Sequence, residues 1–307
     1  MNPQPVRWFP FFFLALSCGD IQSQSDVSAE PFAVVRSSHV YRVIHGDTLA
    51  LDLRIPNAST PQTLGVVFMH GGGFSEGQRD RGPHTALLDT LASFGIPSAS
   101  ISYRLSRKGL GFGCTVSAED KQATVEMAAQ DLMFARDWLR SSPINLPEAW
   151  AAAGSSAGAE AALWAGYGLA PQAWAGIISF AGAVANDLEV PQDAPPLFAA
   201  HGICDRVVPS REGIHRGCNA EDPGAWLLCG GICWADRLTD SGIGSHSYAY
   251  CGGGHEICNS AMVDPRLQDA LVRWLTSLED RHLSSRLTHS TKGPFTREGQ
   301  PCPQPCH

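Results

Sequence analysis

A serine set between small residues is the first candidate for chemistry in this sequence. Gly154-Ser155-Ser156-Ala157-Gly158 fits the pattern G-x-S-x-G. It follows a short apolar run at 150–153 and opens a stretch of small residues at 158–169. Those neighbours predict a strand, a sharp turn and a helix, with the serine at the turn. Such a turn strains the serine backbone, so the flanking positions must be small. The helix N-terminus favours negative charge developing beside the serine. A serine so placed attacks a carbonyl carbon only if a base takes its proton, an acid orients the base and N–H groups hold the oxyanion.

Among eleven histidines, His255 is the best placed base. It ends the glycine run Cys251-Gly252-Gly253-Gly254-His255, directly after a strand-like segment at 245–250. His201 is assigned a structural role, packing or hydrogen-bonding beside the acid loop, His246 falls within that strand, and His39 and His45 belong to an N-terminal hairpin. The acid is Asp205, in the loop His201-Gly202-Ile203-Cys204-Asp205-Arg206-Val207-Val208-Pro209, with helix capping as its alternative role and Asp187 as its rival. His70-Gly71-Gly72-Gly73-Phe74 follows the apolar run at 64–69. Glycine lets backbone approach a reacting atom closely, so the N–H groups of Gly72, Gly73 and Ala157 are the candidate oxyanion donors; Gly71 shapes the turn.

These residues need a scaffold that brings distant loops to one edge. Residues 32–44 and 48–55 alternate as a half-buried hairpin around His45-Gly46-Asp47. The run at 64–69 is apolar throughout, as in a strand covered on both faces. Further strands are predicted at 96–102, 150–153, 176–180, 196–200 and 245–250, with helices at 85–94, 117–140, 158–169 and from Asp264-Pro265 onward. Strands alternating with helices predict a mostly parallel α/β sheet covered on both faces, preceded by an antiparallel hairpin.

The chain has 307 residues and a formal net charge of −8 without any Lys/Arg run, so nucleic acid is excluded as a partner. Arg7 followed by an apolar run at 8–16 reads as an export signal over residues 1–18, too short to span a bilayer. Ala15-Leu16-Ser17-Cys18 offers two readings: a lipoprotein signal with a lipid on Cys18 attaching the chain to a membrane, or an ordinary signal peptide of a secreted or periplasmic protein. A polar tether follows at 19–31, then one catalytic domain at 32–280 and a disordered tail at 281–307. Ten cysteines suit an oxidising compartment, and disulfides are expected. Their pairing is open, although Cys251 with Cys258 would brace the loop carrying His255. His215, Cys218, Cys229 and Cys233 could be read as a zinc site; in an exported chain disulfides are the preferred reading.

The order Ser156, Asp205, His255, with the histidine–triple-glycine loop and Ser102-Tyr103-Arg104-Leu105, resembles the α/β-hydrolase carboxylesterases over residues 45–280. The triple-glycine motif is similar to that of bacterial hormone-sensitive-lipase-like and feruloyl or acetyl esterase-like enzymes. The resemblance implies a sheet of about eight strands, acyl-enzyme chemistry, a small-molecule or carbohydrate ester as substrate and no cofactor. It departs at Ser155 and Ala159, where the hormone-sensitive-lipase-like pattern has Asp and Gly. Residues 108–115 and 217–236 look like lineage-specific loops. An exported peptidase of the same fold and a non-catalytic surface binding protein are the competing functions.

Overall fold

Alternating burial along one strand shows how the sheet divides the core. The computed structural model describes residues 31–59, 62–281 and 291–295. Strand β3 (Leu64–Met69) is buried throughout. Its Leu64, Val66 and Phe68 join one apolar cluster, while Val67 and Met69 join the other. Successive side chains point to opposite faces, so a strand with helices on both sides must be apolar at every position.

The hairpin β1 (Val34–Ile44) and β2 (Asp47–Pro56) is antiparallel and joins β4 (Ser98–Ile101). From β4 onward the sheet is parallel, through β3, β5 (Ala149–Ser155), β6 (Gly176–Phe180), β8 (Leu197–Gly202) and β11 (Ser245–Tyr250). The expected eight strands are all present. Helices α2 (Ala118–Ser141), α3 (Ala157–Leu163) and α4 (Gly231–Asp240) contribute to the cluster on one face, and α1 (Pro83–Ser93), α5 (Ile257–Ser260) and α6 (Pro265–Arg281) to that on the other.

Helix α2 begins as its sequence predicts, with Ser117 Oγ accepting from the Asp120 N–H at 3.1 Å. At its middle, buried Asp131 accepts from the Arg104 backbone N–H and guanidinium, both at 2.8 Å. The adjacent Tyr103 hydroxyl donates to the His70 carbonyl at 3.0 Å. The Ser102-Tyr103-Arg104-Leu105 segment therefore ties the triple-glycine loop to α2.

Three differences from the sequence reading are physical. The stretch 158–169 is not one helix: α3 is followed by a wider π-type turn at Trp164–Leu169, where Gly166 packs against Ile177. Residues 217–236 are not all loop. They contain β10 (Leu227–Gly230) and the start of α4, and β10 pairs with β7 (Ala183–Ala185) and β9 (Glu212–Ile214) in a small antiparallel sheet. These strands of three or four residues are too short to show a period. Within the expected disordered tail, β12 (Thr291–Phe295) adds a ninth strand parallel to β11; a Gly-Pro pair hides it in the sequence, yet Pro is tolerated at a sheet edge. The export signal, Cys18 and most of the tether lie outside the described residues. No helix among the described residues is long and apolar enough to cross a membrane.

Helix α3 lies so close to the sheet that a Cβ on Gly158 would stand 2.1 Å from the Met69 carbonyl oxygen. The Gly158→Ala variant is expected to lose about 3 kcal/mol or more of stability, read as a lowered denaturation midpoint; a midpoint equal to the parent's would refute this contact.

Candidate active site

Ser156 sits between β5 and α3 with φ 50 and ψ −123, a left-handed conformation that a non-glycine residue rarely holds. The turn is fixed from both sides. The Ser156 N–H donates to the Phe180 carbonyl at 2.8 Å, and its own carbonyl accepts from the Ala159 and Glu160 N–H groups. Strain of this kind persists only where surrounding structure over-determines it.

The other two candidates arrive from adjacent strands. Asp205 follows β8 and His255 follows β11, which pair in parallel. Their loops are joined directly, the Cys204 N–H donating to the Gly253 carbonyl at 2.8 Å. A Cβ on Gly202 would stand 2.3 Å from the Gly254 carbonyl oxygen, so the two loops meet only because that position is glycine. His255 Nε2 lies 2.8 Å from Ser156 Oγ, and His255 Nδ1 lies 2.7 Å from Asp205 Oδ2. The second carboxylate oxygen, Oδ1, accepts from the Val207 and Val208 N–H groups at 2.8 and 2.9 Å. Burial alone would raise the Asp205 carboxyl, but hydrogen bonds from His201 and His255 outweigh it and hold the group well below the usual carboxylate range. Asp205 is thus anionic wherever the protein is folded at ordinary pH. Its rival Asp187 is exposed beyond β7.

The triple-glycine loop leads away from β3 beside the serine. The Gly71 N–H is already committed to Ser155 Oγ at 3.1 Å, whereas no protein acceptor among the described residues takes the N–H groups of Gly72, Gly73 or Ala157. Gly72 and Gly73 have φ of 114 and 60, which glycine alone adopts without strain. A cavity of about 630 Å³ opens over these residues, bordered by Gly71, Gly72, Gly73, Ser156, His255 and Phe112. His70, also on its wall, is held uncharged by burial, its pKa lowered to about 4. Another cleft, of about 650 Å³, lies at the strands' opposite ends beside Trp174 and Gly244; its sole titratable lining group is Asp193.

Disulfides pin segments on this side of the sheet. Cys114 is bonded to Cys218 and Cys229 to Cys233, and Cys204 and Cys251 are also disulfide-bonded. The brace expected between Cys251 and Cys258 is absent: Cys258 is a buried free thiol pushed up to about 12 by burial. The zinc reading fails too, because Cys218, Cys229 and Cys233 are consumed in disulfides while His215 packs between Phe112 and Trp226. The one cluster with ligand-like spacing among the described residues, Cys114, Cys218 and Asp222, contains the first of these disulfides.

No protein-family model and no curated protein matches the sequence. Solved structures do. Esterase 2 of Thermogutta terrifontis, phosphoramylated by tabun, superposes with a TM-score of 0.57 at 18% identity, over 79% of this chain and 94% of that one. Its butyrate-bound form gives 0.54 at 17% identity, with the same shares covered. Brefeldin A esterase, described as a bacterial homologue of human hormone-sensitive lipase, gives 0.54 at 15% identity, over 86% of this chain and 81% of that one. The fold is that of the α/β-hydrolases. Ser156, Asp205 and His255 thus stand at the carboxyl ends of an α/β-hydrolase sheet, following β5, β8 and β11.

What the sequence reading of this α/β-hydrolase fold missed lies behind and beside the serine. Glu160, one turn along α3, is 2% exposed, and its Oε1 lies 3.6 Å from His215 Nε2. Burial raises the Glu160 carboxyl to about 8, with Arg216 and Lys121 pulling it down in part. Burial likewise lowers His215, to about 3, so it is neutral. Lys121 reaches the same layer from α2 and donates to the Gly224 carbonyl at 2.7 Å. Only Glu160 carried a signal, as an acid in a helix of small residues otherwise made to be buried.

Because Glu160 ionises near pH 8 when folded and near its ordinary 4.5 when unfolded, its contribution to stability is complete below about pH 4.5 and is lost as pH rises through 8. Each pH unit in that window is worth up to about 1.4 kcal/mol. Relative to Glu160→Gln, the parent is expected to lose stability between pH 5 and pH 8 in parallel denaturation series; a constant difference between the two proteins refutes the buried neutral acid.

Proposed function

We propose that the chain is a serine hydrolase that cleaves carboxylic esters through an acyl-enzyme. The observation that carries this reading is the unbroken hydrogen-bonded line from Asp205 through His255 to Ser156, ending at a serine in left-handed backbone. Ester as the bond attacked is favoured by the fold neighbours, which are esterases by name.

In the proposed reaction His255 Nε2 takes the Ser156 proton as Oγ attacks the ester carbonyl. The tetrahedral oxyanion is held by the N–H groups of Gly72, Gly73 and Ala157, with the N-terminal end of α3 adding its partial positive charge. The protonated His255 is stabilised by Asp205, whose carboxylate the Val207 and Val208 amides hold in place. His255 then gives its proton to the departing alcohol and activates water on the acyl-enzyme.

Ser156→Ala is expected to lower hydrolysis of a short-chain p-nitrophenyl ester by at least about 10³-fold and to abolish covalent labelling by a fluorophosphonate, with the denaturation midpoint retained. Equal turnover by the two proteins removes the assignment.

A further inference from the structure

The cavity over Ser156 carries two guanidinium groups, and among the described residues neither is ion-paired with a carboxylate. Arg216 and Arg81 line it together with Gly73, Ser156 and His255. Among the described residues, Arg54, Arg79, Arg104 and Arg237 are each paired with a carboxylate, but no ion pair holds Arg216 or Arg81. Glu76 is the single carboxylate on the cavity wall, and it lies on the side of Gly72.

Arg216 is placed with unusual care for an exposed side chain. Its backbone is left-handed, with φ 58 and ψ 18, and its N–H donates to the Val207 carbonyl at 2.7 Å. The residue before it, His215, is buried and donates through its backbone N–H to Trp226. Two residues after it, Cys218 is bonded to Cys114, which fixes the segment to the loop carrying Phe112. The guanidinium stands 6.0 Å over the Phe112 ring, and its Nη2 is 3.4 Å from where a Cβ on Gly73 would be. A cation on a fixed backbone segment is therefore held beside Gly73, and a guanidinium is the side chain best matched to a carboxylate.

Resting on the esterase reading above, we propose that the preferred substrates are esters bearing a carboxylate a few atoms from the scissile carbonyl, and that Arg216 binds this carboxylate and sets the specificity. Beneath the arginine lie Glu160, which burial keeps protonated to about pH 8, and Lys121, while Asp205 is already engaged by His255. A carboxylate entering the cavity meets Arg216 and Arg81 with only Glu76 opposed.

The test compares monophenyl glutarate with phenyl valerate, acyl chains of equal length that differ in a terminal carboxylate against a methyl group. In Arg216→Gln the glutarate-to-valerate ratio of kcat/KM is expected to fall about tenfold, equivalent to about 1.4 kcal/mol, chiefly through KM, with part of the ratio restored in Arg216→Lys. An unchanged ratio alongside Ser156-dependent valerate turnover overturns the proposal and leaves the esterase reading standing; it is also the result if Arg216 served only the oxyanion, because both esters would then lose equally. Binding of glutarate to the Ser156→Ala protein by calorimetry decides the anion site without turnover. Weaker binding once Arg216→Gln is added supports it, and equal binding overturns it even if the esterase reading has failed.

Discussion

The closeness of α3 to the sheet constrains everything else around the serine. A Cβ on Gly154 would stand 2.2 Å from the Gly158 backbone, and one on Gly158 would stand 2.1 Å from the Met69 carbonyl oxygen. With no room for side chains on either flank, the chain turns from β5 into α3 within one residue, and that residue takes up the strain. Ser156 is thereby lifted out of the strand with its Oγ free to meet His255. The alanines of β5 and the small residues of α3 serve the same end, since they let helix and sheet approach over a broad front.

Beneath this turn runs a polar layer that is uncommon in so apolar an interior. Asp205, His201, Glu160, His215 and Lys121 are all nearly or fully buried. Each charge is reconciled with burial in a different way. Asp205 keeps its charge because two backbone amides and two histidines face it. Glu160 and His215 instead give up charge over much of the pH range. Lys121 keeps a strong acceptor in the Gly224 carbonyl. Removing a partner here would strand a charge away from water, which costs far more than an exposed ion pair returns.

The rim of the cavity is held by other means. Residues 105–116 and 203–218 form few regular elements, yet they carry Phe112, Asp205 and Arg216. The Cys114–Cys218 bond closes 104 residues of chain, and in the chain-entropy account a loop of that size is worth about 4–5 kcal/mol. A covalent tie substitutes for the packing that these loops cannot supply, and it keeps the aromatic and guanidinium groups in register with the serine. The cavity's polar character follows from this rim, while Ser156, Asp205 and His255 follow strands of the sheet.

The sequence by itself carried the eight strands of the main sheet, the strand–turn–helix around Ser156, and His255 and Asp205 as candidates to act with it. Those features are local. An apolar run, a glycine-flanked serine and a glycine run before a histidine each declare themselves within ten residues, and chain order then suffices to relate them. The tertiary structure alone decided what depends on distant segments meeting. It showed that Gly71 is spent on Ser155 while Gly72 and Gly73 are not, and that Cys114 pairs with Cys218 and leaves Cys258 free. It also placed Glu160 against His215, and Arg216 in the cavity. Residues 217–236 read as loop because short antiparallel strands have too few residues to show a period, and they became a sheet only when β7 and β9 arrived to pair with them. The residues of the proposed attack are thus legible in short stretches of sequence, and the shape and charge of what surrounds them come from contacts between segments far apart in the chain.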